Sequence, residues 1–247
     1  MPLDPVAITL AVIGFVIGGI VKGATGAGTP IVAVPMLALA FDVPTAVTVF
    51  AIPNLFANLW QAWRFREHSL PMSFTLPFVA ACLCGAAIGT VMLVSLSPRL
   101  LMTGTACVSF AFIGFRLAQP EWSLPMGIAR RISLPIGVGA GVLQGAIGVS
   151  APISITFLSA MHLDRPVFIA TISTIFVGMS AVQIPMMLGY GLMTPSRIAM
   201  GFGALGVILL TMPFGSALAR RWSPAVFNNV ILGMLAVIGI RLLLESL

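Results

Sequence analysis

The stretch Gly19-Ile20-Val21-Lys22-Gly23-Ala24-Thr25-Gly26-Ala27-Gly28-Thr29-Pro30-Ile31 interrupts an apolar run that extends from Pro5 to Phe41. As one straight helix that run would measure about 55 Å, against a hydrocarbon core of about 30 Å. It reads instead as two shorter helices with unwound backbone between them. Glycine supplies the backbone freedom, and Pro30 suits the first turn of a new helix. The stretch recurs at an offset of 122 as Gly141-Val142-Leu143-Gln144-Gly145-Ala146-Ile147-Gly148-Val149-Ser150-Ala151-Pro152-Ile153, within the long run Ile132–Met161. The same offset aligns Asp42-Val43-Pro44 with Asp164-Arg165-Pro166, and Gln61 with Gln183. With a few residues inserted, Ser97-Pro98 then matches Ser223-Pro224, and Gly114-Phe115-Arg116-Leu117 matches Gly239-Ile240-Arg241-Leu242. An ordered series of this kind reads as a tandem duplication.

The composition around these stretches is that of a membrane protein. Of 247 residues, 59% are hydrophobic and 7% charged, and the mean hydropathy is +1.12. A soluble domain carries about 25% charged residues to wet its surface. Three cysteines are too few, and odd in number, for a disulfide scaffold. The 12 basic and 6 acidic residues form no stripe that would follow a phosphate backbone, so nucleic acid is not an expected partner. The bilayer is.

The expected fold class is an all-α polytopic membrane protein of two repeats, residues 1–118 and 131–247, joined by a loop at 119–130. Each repeat has a broken helix or re-entrant hairpin carrying a Gly-rich element, followed by three transmembrane helices. Beyond the two long runs, the expected spans are Pro44–Trp63, Leu70–Leu96, Arg99–Ala118, Arg165–Gly189, Pro195–Ala219 and Ser223–Leu243. No basic region precedes the first apolar run, so that segment is expected to be retained rather than cleaved. Trp60, Trp63 and Trp222 stand beside arginines, as at a membrane–water interface.

Orientation depends on how the broken segments run. As re-entrant hairpins they make the halves inverted, with both termini outside. Basic residues then divide eight (Arg64, Arg66, Arg116, Arg130, Arg131, Arg165, Arg220, Arg221) against three (Arg99, Arg197, Arg241). If each crosses once, the halves are parallel and the division is seven against four. The stronger positive-inside bias favours inversion.

Repeated halves with broken helices at matching positions point to a secondary transporter. Unwound backbone at membrane depth survives only where protein buries it or it lines a wet cavity. A helix start offers N–H groups and partial positive charge to an anion, with Thr29 or Ser150 placed near the cap. The substrate-binding candidates are therefore Lys22, Gly23, Thr25, Gly26, Ala27, Gly28 and Thr29 in the first element. Gln144, Gly145, Gly148, Val149, Ser150 and Ala151 are their counterparts in the second. Lys22, the sole lysine, lies in an apolar segment, where a charge marks a substrate pathway unless it snorkels to the surface. Asn54, Asn58 and Gln61 share one helix face, and Gln183 occupies the matching stretch with Ser173, Thr174 and Ser180. That face lines a path or bonds helices together. Asp42 and Asp164 read as helix caps. Close packing of small residues is the competing account of the glycines.

On the paired elements Lys22–Pro30 and Gln144–Pro152 the sequence resembles the sulfite exporter TauE/SafE family. The resemblance covers nearly the whole chain. It implies a permease of two homologous halves in the cell (inner) membrane, moving sulfite, thiosulfate, sulfoacetate or another organosulfonate. The second element departs from the first at Ile147 and Ser150 and lacks the lysine. The expected partner is thus a small anion, held near Ala27–Ile31 and Val149–Ile153. Coupling is open between a proton, sodium and facilitated diffusion, and no cofactor or metal is expected. Two other classes stand beside this one: a membrane enzyme acting on a lipid phosphate, and a structural or assembly subunit. The first needs a buried base or nucleophile, yet no carboxylate or histidine lies near either Gly-rich element, and no phosphate-loop Gly-Lys-Ser/Thr is present. Ser150 as an intramembrane nucleophile with His162 as base is a separate catalytic reading, set against His162 standing at a span end beside Asp164. Cys82, Cys84 and Cys107 read as packing residues.

Overall fold

The computed structural model describes residues 5–119, 122–218 and 224–246. Ten α-helices and no strand occur among them: α1 (Pro5–Thr25), α2 (Thr29–Ala40), α3 (Val43–Arg64), α4 (Met72–Ser95), α5 (Pro98–Ala118), α6 (Met126–Ile147), α7 (Ala151–Ala160), α8 (Arg165–Gly189), α9 (Pro195–Leu218) and α10 (Pro224–Ser246). Seven of them (α1, α3, α4, α5, α6, α8 and α9) are long and apolar enough to cross a bilayer. The chain is a multi-pass, all-α membrane protein. Pro120, Glu121, Arg220, Arg221, Trp222 and Ser223, which enter the charge count, the interface reading and the repeat matches, lie outside the described residues.

Both long runs break where the glycines stand. Gly26 (φ 89°) and Gly148 (φ 71°) adopt the left-handed conformation that ends α1 and α6. Proline then enters the first turn of α2 and α7. The turn after α1 reverses the chain: Gly18 faces Thr29 and Ala33, and Gly14 faces Ala33 and Met36. α2 therefore runs back along α1 as a helical hairpin. Ile153 of α7 likewise lies against Gly139 of α6.

Two glycine seams hold these hairpins. A Cβ added to Gly23 would overlap the Met212 carbonyl of α9, and one on Gly215 the Ile20 carbonyl of α1. A Cβ on Gly145 would meet the Ala86 carbonyl of α4, and one on Gly89 the Val142 carbonyl of α6. In lipid, where neighbouring helices gain nothing from excluding water, this close backbone approach supplies the packing. At the centre α3 crosses α8, with Asn54 Nδ2 donating to Ser180 Oγ (3.1 Å) and Ser173 Oγ to Gln61 Oε1 (3.4 Å).

Following the chain through these turns places Arg64, Arg66, Arg116, Arg130, Arg131 and Arg165 at one end of the bundle. Arg99, Arg197 and Arg241 fall at the other. α6 begins at Met126, inside the stretch expected to be loop, so Arg130 and Arg131 sit on its early turns. Long basic side chains tolerate such positions because they reach back to the interface.

Candidate functional site

The turn that follows α1 satisfies its own backbone. Thr25 Oγ1 accepts from the amides of Ala27 (3.3 Å) and Gly28 (3.1 Å), and Ile31 N donates to Gly28 O (3.2 Å). These amides, expected to face an anion, are already engaged. What the turn leaves open is a side chain. Thr29, the first residue of α2, is 2% exposed, and its hydroxyl has no hydrogen-bond partner. An unsatisfied buried hydroxyl costs about 1–3 kcal/mol.

Thr29 lines a cavity of about 10 Å³, at the threshold for a single water. Lys22 of α1, Asn54 and Asn58 of α3, Phe176 of α8 and Ile208 of α9 also line it. Lys22 is 3% exposed and donates to Asn58 Oδ1 at 2.8 Å, with Gly26 O at 3.5 Å. It does not snorkel. Asn58 Nδ2 in turn donates to Asn54 O (2.6 Å) and Asn54 Oδ1 (2.9 Å). A continuous polar chain thus runs from Lys22 through Asn58 and Asn54 to Ser180 on α8. Asn54 and Phe176 lie near the middles of α3 and α8, so the cavity sits at half height. The ion pair Arg66–Glu67 lies at the surface. Among the described residues no carboxylate pairs with Lys22.

Lys22 also borders a second, larger cavity of about 640 Å³, shared with Gly23, Gly26, Gln61, Arg165 and Ser216 and walled by Phe56, Trp60 and Phe65. Arg165 Nη2 reaches Gly23 O (3.4 Å) and Ala24 O (3.3 Å), and Ser216 Oγ donates to Gly23 O (2.9 Å). These bonds cap the last carbonyls of α1. Arg165 places this cavity at the arginine-rich end. Lys22 stands between the two spaces.

The second break is closed. Ser150 occupies the N-cap position of α7 but does not cap it; its Oγ donates to Gln144 Oε1 at 3.0 Å. Gln183 Nε2 binds the carbonyls of Gln144 (3.1 Å) and Gly145 (3.4 Å). Val47 and Val34 press on Gly148, and Val149 and Ala151 are buried. Gln61, the match of Gln183, instead accepts from Ser173 and lines the larger cavity. Asp42 caps α3 by accepting from Thr45 N at 2.6 Å, whereas Asp164 makes no such bond for α8. Ser150 and His162 flank the ten-residue α7 at opposite ends, about 15 Å apart along it, too far to act together. Cys82 is buried in the core, while Cys84 and Cys107 face outward.

The structure thus gathers Lys22, Thr29, Asn54 and Asn58 at one cavity. Gly23, Gly26 and Gln61 line the next, Thr25, Ala27 and Gly28 form the turn, and Gln144, Gly145, Gly148, Val149, Ser150, Ala151 and Gln183 build the closed break. Phe176 was missed from the sequence, although it stands 122 residues from Asn54. Arg165 and Ser216 were missed as partners of the α1 carbonyls, for no local pattern announces them.

No curated protein and no solved structure matches the chain. A family model described as Sulfite exporter TauE/SafE matches residues 10–242. That family comprises transporters rather than enzymes. A match over nearly the whole length, on a bundle with two broken helices, means that the chain belongs to the TauE/SafE sulfite exporter family.

Proposed function

We propose that this chain moves a small sulfur-containing anion, such as sulfite, thiosulfate or an organosulfonate, across the inner cell membrane. The observation that carries this reading is the meeting of buried Lys22 with the unpartnered Thr29 hydroxyl at the start of α2. A lysine with no carboxylate beside it among the described residues and a hydroxyl without a partner favour an oxyanion together. The small cavity is too tight for such an anion in this state. The larger cavity offers the approach, and Lys22 Nζ must leave Asn58 Oδ1 to admit the substrate.

The halves 1–118 and 131–247 act as inverted copies, with the arginine-rich end inside. Support comes from the glycine seams: α1 on α9 and α6 on α4 repeat the same approach at matching positions. Export follows the membrane potential, which drives an anion outward with about 2.3 kcal/mol per charge per 100 mV.

The test is thermal stabilisation of purified protein by sulfite, thiosulfate, sulfoacetate, taurine, sulfate and phosphate. Ligand that binds the folded state raises apparent stability by mass action, by about 2.7 kcal/mol at a hundredfold excess over Kd. Stabilisation by one sulfur anion, lost in Lys22→Ala, is expected. Stabilisation that persists in Lys22→Ala would remove the site assigned here, and none with any anion would remove the substrate class.

A further inference from the structure

A third cavity, of about 60 Å³, lies away from the transport path, where the ends of α5 and α7 meet the connector between the halves. Two of the residues that line it carry a stranded polar atom. Arg116 Nε and Thr156 Oγ1 are both buried without a hydrogen-bond partner. Ser159, Gln119 and His162 line the same space, so it offers donors from three segments. Its walls are fixed: Phe115 packs edge-on to Trp122 (5.5 Å), and Leu124 N donates to Ala160 O (2.7 Å). His162 closes the turn after α7 at φ 48°, a conformation uncommon for a side-chain-bearing residue.

A cavity several times the size a water needs, lined by a residue with an unsatisfied guanidinium Nε–H and one with an unsatisfied hydroxyl, has the chemistry of an anion site. The matching cavity at the other end gives the contrast. There Arg241, the sequence match of Arg116, shares its cavity with Glu245, four residues further along. Four residues after Arg116 stands Pro120, which offers no charge. Glu121, in the connector, lies outside the described residues.

We propose that this cavity binds a phosphate oxyanion, with Arg116 as its counter-charge and Thr156, Ser159 and Gln119 as hydrogen-bonding partners. The surroundings favour the headgroup of an anionic phospholipid as the source. Leu117 (66% exposed) and Phe115 (37%) present apolar surface beside the cavity on which acyl chains can lie. Trp122 is placed as an interfacial aromatic is.

Purified protein is compared in vesicles of phosphatidylcholine alone and with phosphatidylglycerol added, and separately in detergent with inorganic phosphate. Thermal stability and the lipid retained in native mass spectra are read together. Phosphatidylglycerol is expected to raise stability and to be retained at least about fivefold more than phosphatidylcholine. The preference falls to near unity in Arg116→Gln, falls partly in Thr156→Val, and is unchanged in Arg241→Gln. It also persists in Lys22→Ala, which separates it from the transport site. An equal effect of inorganic phosphate, lost in Arg116→Gln, keeps the site and assigns it to the free anion. Equal retention of both lipids, or a preference untouched in both Arg116→Gln and Thr156→Val, overturns the proposal. So does a preference that emerges only in Glu121→Gln, since the chain's own carboxylate would then fill the cavity.

Discussion

At the scale of single residues, Thr29 separates the cost of a site from its use. Its hydroxyl is buried without a partner, so Thr29→Val exchanges an unsatisfied group for a methyl of similar shape. Such exchanges are close to neutral or stabilising, here by up to about 1 kcal/mol. The same change removes a donor from the proposed anion site. Thr29→Val is therefore expected to hold or raise the melting temperature without ligand while lowering the stabilisation by the best sulfur anion. A lower melting temperature with undiminished anion stabilisation would make Thr29 a structural residue only. Lys22 differs, because its Nζ is bonded to Asn58. Lys22→Met keeps the stem but leaves Asn58 Oδ1 without its donor, at a cost of about 1–3 kcal/mol. It should abolish anion stabilisation in protein that still folds, read by melting with and without ligand.

At the scale of elements, the glycines divide into those that turn the chain and those that let helices touch. Gly26 belongs to the first group: Ala there must hold φ near 89°, costing about 1–2 kcal/mol, and its Cβ would press on Ile169. Gly23 and Gly145 belong to the second, where the obstacle is a neighbouring carbonyl that no rotamer can move. Gly145→Leu is expected to cost more than about 3 kcal/mol and to cut the yield of folded protein. Gly104→Leu, with open space around it, should change the melting temperature little. Similar losses at 104 and 145 would mean that the α4–α6 seam does not carry the packing. The breaks themselves were legible because length against bilayer thickness forbids one helix, and because proline marks each restart. The start of α6 was not, since Arg130 and Arg131 look like loop in sequence and become helix only by reaching to the interface. The face of Asn54, Asn58 and Gln61 was legible from periodicity. Its bond to Lys22 spans 36 residues and exists only because the chain is folded back on itself. Likewise, Thr25 is suited to satisfying the Ala27 and Gly28 amides, but only the turn geometry shows that it does.

At the scale of the whole molecule, the two breaks are not in the same state. The first borders the cavity of about 640 Å³ at the arginine-rich end, with Lys22 at the inner wall. The second is shut by Gln183, Ser150, Val47 and Val34. With the two halves working as the matching copies proposed above, the opposite state is reached by exchanging these roles, opening at the second break as the first closes. Packed interfaces switch between such arrangements rather than deforming continuously. The bundle is thus read as open toward one side only. The check uses protein in which Cys82, Cys84 and Cys107 are replaced by Ala and one cysteine is introduced at Ser216 or at Val149. Ser216 lines the open cavity, whereas Val149 is 4% exposed in the closed break. A membrane-impermeant maleimide should label Ser216→Cys from the arginine-rich side alone, and Val149→Cys slowly from either side without substrate. Adding the transported anion is expected to slow the first reaction and speed the second, since turnover populates the opposite state. If Val149→Cys reacts as fast as Ser216→Cys before substrate is added, the second break is open in the resting protein. If substrate changes neither rate, the two breaks are not linked, and the halves do not work as alternating gates.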